Sequence, residues 1–143
     1  MNGTFLRDAL LSFLWFGFLG ATAAALFFIA VFAGSPFQVA LFDWDTAMGS
    51  VVLGGPPGAV TGIVMAALAD FAPLKRRHLI GLSPFVGFMV PPAVYAATYW
   101  HQWIDVVPIQ IPVIGTLGAI LTILGTAIAL RLRLLRPPAE VAP

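Results

Sequence analysis

Cysteine is absent from the 143 residues. That removes disulfides, thiolate nucleophiles and iron–sulfur clusters from consideration. Charge is scarce: Asp, Glu, Lys and Arg together make up 9% of the chain, against roughly 25% in a soluble domain. With 60% hydrophobic residues and a mean hydropathy of +0.98, the chain lacks the polar surface needed to cover itself in water. It reads as an integral membrane protein. Histidine is limited to His78 and His101. They fall at opposite ends of the expected topology and cannot share a haem or a zinc ion within one monomer, so no cofactor and no metal is expected.

The most informative absence is charge within the long apolar runs. A span needs about 20 apolar residues to cross about 30 Å of hydrocarbon. Four segments qualify, at about 9–33, 46–69, 79–100 and 108–130, and their cores hold no Asp, Glu, Lys, Arg or His. Proton-coupled carriers and voltage sensors depend on intramembrane ionisable groups, so both classes are set aside. Acid–base catalysis would have to draw on Asp43, Asp45, His101 and Asp105 at one end or Asp70 and His78 at the other. No spacing among them specifies a carboxylate–histidine pair, and an enzyme is not expected. The sequence therefore predicts an all-α, polytopic four-helix membrane bundle over residues 1–136. A Pro-rich tail at 137–143 is expected to be disordered.

The few charges are ordered. Arg7 precedes the first span, Lys75, Arg76 and Arg77 follow the second, and Arg131, Arg133 and Arg136 follow the fourth. The opposite loops hold Asp43, Asp45 and Asp105 and no basic residue. The positive-inside rule puts both termini in the cytoplasm, with Trp44, Trp100 and Trp103 near the outer interface. Little lysine beside much Ala, Gly, Pro and Arg is the composition of a GC-rich bacterial genome, which makes the expected location a bacterial inner membrane. The basic residues are expected to meet lipid headgroups, with one of Lys75, Arg76 and Arg77 compensating Asp70 at an unfavourable helix C-terminus. The first apolar run, at about 25 residues, exceeds the roughly 7–15 of a signal-peptide core and reads as a retained span. In the first outer loop, Ser35 and Pro36 can start a short interfacial helix that puts Phe37, Leu41 and Trp44 on one face.

Against this background "VVLGGPPGAVTG", residues 51–62, is anomalous, because prolines and glycines least favour a helix interior. The third span has a second pair in "GFMVPPAVY". At about 1.5 Å per residue, Pro57 lies about 20 Å from Asp70 and Pro91 about 18 Å from Leu79, with Thr22 and Thr116 at about the same height. A shared layer is expected, with helices 2 and 3 kinked or broken there. If the helices continue, Pro56, Pro57, Pro91 and Pro92 free the carbonyls of Val52, Leu53, Gly87 and Phe88. Such carbonyls must face protein, water or a ligand. If helix 2 restarts, the amides of Gly58 and Ala59 become an anion site of the kind found in discontinuous transporter helices.

Small residues recur every four positions. Gly54, Gly58, Gly62 and Ala66 line one face of span two, and Gly115, Gly118, Ala119, Thr122, Gly125 and Ala129 lie along span four. Gly17, Gly20 and Ala24 contribute from span one. This spacing allows close backbone approach within the monomer or between copies. "GGPPGA" bears a superficial likeness to the GGxxGA element of small four-helix fluoride channels. It covers six residues, lies in span two and has no following arginine in "AVTGIV", so that assignment is rejected. The function expected is a structural or accessory subunit, in a homo-oligomer or with a membrane-protein partner and with no nucleic acid involved. The alternative is a small passive channel or uncoupled carrier for a small solute or ion at the double-proline layer.

Overall fold

The computed structural model describes residues 3–32, 44–72, 74–99 and 107–136. They form α1 (Gly3–Phe32), α2 (Trp44–Phe71), α3 (Arg76–Tyr99) and α4 (Val107–Arg131), and no strand occurs among the described residues. Each helix contains a stretch long and apolar enough to cross a membrane: Phe5–Phe27, Ala47–Phe71, Arg76–Thr98 and Pro112–Arg131. The fold is that of a multi-pass four-helix bundle of the membrane type. Of the expected interfacial helix, Ser35, Pro36, Phe37 and Leu41 lie outside the described residues, as do Asp43, Trp100, His101, Trp103, Asp105 and the tail at 137–143, whereas Trp44 begins α2.

Helices α2 and α3 run without interruption through their prolines, Pro56 and Pro57 in α2 and Pro84, Pro91 and Pro92 in α3. The restart in α2 that would free the amides of Gly58 and Ala59 does not occur. Each proline deletes one donor, whereas several helical turns on either side keep their own bonds and propagate cooperatively.

The bundle is two tight hairpins, α1–α2 and α3–α4, joined more loosely. Glycine sets the closeness of the first. A Cβ on Gly20 would collide with the Gly54 carbonyl, and one on Gly54 with the Gly20 carbonyl. One turn away Gly58 abuts the Phe16 carbonyl, and a further turn on Gly62 abuts that of Ser12. Each step of four residues along α1 thus meets a step of four back along α2, as antiparallel helices in backbone contact require. Carbonyls seated against glycine Cα atoms make weak Cα–H···O contacts as well. In the second hairpin Gly87 and Gly118 oppose each other in the same reciprocal way.

The core is concentrated at the end where α2 turns into α3, around Met65, Leu79, Ala129 and Leu135, all nearly inaccessible. The rings of Phe5 and Phe71 lie 4.9 Å apart, which sets the start of α1 beside the end of α2. Leu74 and Leu134 pack on the same core. All seven basic residues are therefore carried at one end of the bundle, by the chain around Arg7, Lys75–Arg77 and Arg131–Arg136. Among the described residues the ion pair is Arg7–Asp8, at 2.8 Å. Asp70 forms none, so the expected pairing with Lys75, Arg76 or Arg77 is not made. Large apolar side chains instead cover the outside: Phe18 is 66% exposed, Phe85 63% and Leu26 61%. Such a surface suits hydrocarbon and is a liability in water.

Helix α4 ends in a left-handed cap at Arg133, with φ of 57°. The Leu134 amide donates to the Ala129 carbonyl at 2.8 Å, the long-range bond of a Schellman motif. This turn inserts Leu135 into the core. A non-glycine residue in that conformation costs roughly 1–2 kcal/mol. Thermal unfolding in mild detergent should therefore show Arg133→Gly to be more stable than Arg133→Ala by about 1 kcal/mol, the reverse of the usual helical ranking. An alanine variant as stable as the glycine variant would mean that the cap is absent.

Candidate functional site

The prolines of the two pairs face different surroundings. Pro57, Pro91 and Pro92 are buried, while Pro56 points outward beside exposed Val52. Pro57 and Pro91, one proline of each pair, both line one cavity.

One freed carbonyl accepts a hydrogen bond from a neighbouring helix, and two others are covered by α4. The Leu53 carbonyl, which loses its donor to Pro57, accepts a hydrogen bond from the Tyr95 hydroxyl at 2.7 Å. The Gly87 carbonyl, freed by Pro91, lies against the backbone of Gly118 on α4. The Phe88 carbonyl, freed by Pro92, sits 3.0 Å from where a Cβ on Gly115 would be. Glycine at 115 and 118 is what lets α4 come close enough to cover both. A fifth proline follows the same logic: Pro84 frees the Ile80 carbonyl, and the Ser83 hydroxyl donates to it at 2.7 Å. Thr22 and Thr116 play no such part. Both are exposed and donate within their own helices, to the carbonyls of Phe18 at 2.8 Å and Pro112 at 2.7 Å. Tyr95 and Ser83 were overlooked in the sequence. The signal for Tyr95 was its place one turn after Pro91, as a phenol inside a span.

The cavity between the hairpins measures about 530 Å³, within the roughly 300–1,000 Å³ of small-molecule sites. Its α1 wall runs from Phe16 through Ala23 to Phe27, and Val113, Leu117 and Leu121 line it from α4. Among the described residues no charged side chain lines it. At one end α1 and α4 close together: the Trp15 indole donates to the Gly125 carbonyl at 3.1 Å, and Phe16 and Leu19 crowd the Gly125 Cα. The hydroxyls on the wall are already donors. Thr61 bonds the Pro57 carbonyl at 2.8 Å, Thr122 the Gly118 carbonyl at 2.7 Å, and Tyr95 the Leu53 carbonyl. Elsewhere in the bundle, the enclosed hydroxyls of Ser12 and Thr126 find no partner among the described residues.

Comparison with protein families, curated proteins and solved structures finds no match to this chain. The class of protein is therefore stated on architecture alone: a small, multi-pass, four-helix membrane protein with an apolar cavity between its hairpins.

Proposed function

We propose that the protein is a structural or accessory subunit of a bacterial inner-membrane assembly, with both termini cytoplasmic. The observation that carries this reading is the bond from Tyr95 to the Leu53 carbonyl. It spends, inside the bundle, a polar group that a permeation path would need to expose. The seating of the Gly87 and Phe88 carbonyls on α4 glycines supports the same view. The glycine stripes of α2 and α4 are occupied within the monomer, so contact with a partner or a second copy falls on large apolar faces such as Leu10, Leu14 and Phe18 of α1. Orientation rests on the collection of all basic residues at one end. Lys75, Arg76, Arg77, Arg131, Arg133 and Arg136 there would meet anionic headgroups.

The second reading, a passive carrier, is favoured by the presence of a cavity at the double-proline level. Its apolar wall suits a hydrophobic cargo better than an ion. Extraction in mild detergent followed by native mass measurement separates the two. The accessory role predicts a stoichiometric partner or a defined homo-oligomer, and reconstituted vesicles that leak potassium, chloride and protons no faster than empty ones. A lone monomer that conducts any of these would overturn it.

A further inference from the structure

We infer that the inter-hairpin cavity is a binding site for one acyl chain of a membrane phospholipid, held as hydrocarbon with its polar head outside. Three features lead there. First, the site lies within helices long and apolar enough to span hydrocarbon, and its wall is built from aliphatic and aromatic side chains of all four, with no charged residue among the described ones. Second, its hydroxyls have no donor left for a ligand, because Thr61, Thr122 and Tyr95 each bond a backbone carbonyl. A quinone ring or any other head that must accept hydrogen bonds finds no unspent side-chain donor among the described residues of the wall. Water, which needs about two to four polar partners to settle in an enclosed site, finds only scattered acceptors. Third, the end is sealed by Phe16 and Leu19 packed on Gly125 beneath the Trp15 hydrogen bond. A chain entering from the other end would meet this closure.

The inference does not depend on the accessory role, since a tail can occupy the cavity of a lone monomer or of a subunit. Filling about 530 Å³ with hydrocarbon restores the dispersion contacts that an empty void forfeits. The tail would thereby join the α1–α2 hairpin to α3–α4 where protein contacts between them are sparse.

The test is photo-crosslinking of the whole protein in nanodiscs made with phosphatidylcholine that carries a diazirine on one acyl chain. Phe18 and Leu124, which face outward, report ordinary surrounding lipid. Ala23 and Leu121, on the cavity wall, report an occupant. Labelling of both sets is expected. Ala23→Trp, which fills the cavity, should abolish labelling of Leu121 and leave that of Phe18 unchanged. If that variant fails to fold, Ala24→Phe, on the same wall, takes its place. Labelling confined to Phe18 and Leu124 would overturn the proposal. So would reaction of the Ala23→Cys variant with a charged thiol reagent in the nanodisc, which would mean a water-filled cavity. An isoprenoid quinone recovered at one per chain after purification would overturn the choice of occupant.

Discussion

Gly54→Ala is expected to separate α1 from α2. The added Cβ would stand 2.5 Å from the Gly20 carbonyl carbon and 2.9 Å from the Ala21 nitrogen. These are backbone atoms, and no rotamer change can move them aside. Relief requires the whole helix to shift, and overpacking of this kind costs about 1–3 kcal/mol, with the upper end apt where backbone meets backbone. Gly62→Ala repeats the collision two stripe positions further on, against the Ser12 carbonyl carbon at 2.7 Å. The pair together should leave the α1–α2 hairpin unpacked in mild detergent, read as an early thermal transition and rapid proteolysis. Gly49→Ala and Gly81→Ala are the controls. Neither Cβ meets anything within 4 Å, and alanine gains about 1 kcal/mol of helix propensity over glycine. Equal stability of Gly54→Ala and Gly49→Ala would show that the two helices do not touch at this stripe.

The second large effect is Tyr95→Phe. It removes the donor to the Leu53 carbonyl and leaves that buried acceptor unmet, at a cost of about 1–3 kcal/mol. The informative measurement is a double-mutant cycle with Pro57→Ala, which returns a backbone amide to the same carbonyl. In that background Tyr95→Phe should cost much less, giving a coupling of about 1–2 kcal/mol. Any loss from removing the proline ring cancels in the cycle. Identical costs in both backgrounds would mean that the phenol does not stand in for the missing amide. The measurement also bears on function. A kinked, functional break should tolerate neither change without loss of activity, whereas a structural substitution tolerates the pair.

Much of the architecture could be read before any folding. Spans were legible because charge is excluded from four stretches of hydrocarbon length, and this needs no knowledge of neighbours. Their alternation was legible in the placement of Arg7, Lys75–Arg77 and Arg131–Arg136. The period-four glycines announced close helix contact, since only small residues at that spacing let two backbones meet. The number of carbonyls at risk in the double-proline layer followed from the missing amides alone.

What met those carbonyls was decided in three dimensions. The sequence placed Thr22 and Thr116 at the right height, and height says nothing about azimuth. In the folded bundle both turn outward and bond their own helices, while Tyr95 comes across from α3 to Leu53. Whether the glycine stripe of α2 would serve another copy or this chain was equally open. It was settled by the register that seats Gly54 on Gly20 and Gly62 on Ser12. The cavity, too, belongs to no single segment. It exists because glycine draws each hairpin tightly together while the two hairpins, joined by the Trp15–Gly125 and Tyr95–Leu53 bonds, stay further apart. Local sequence governs which helices form and which faces are small. Packing between elements distant in sequence governs which face meets which, and so what remains empty between them.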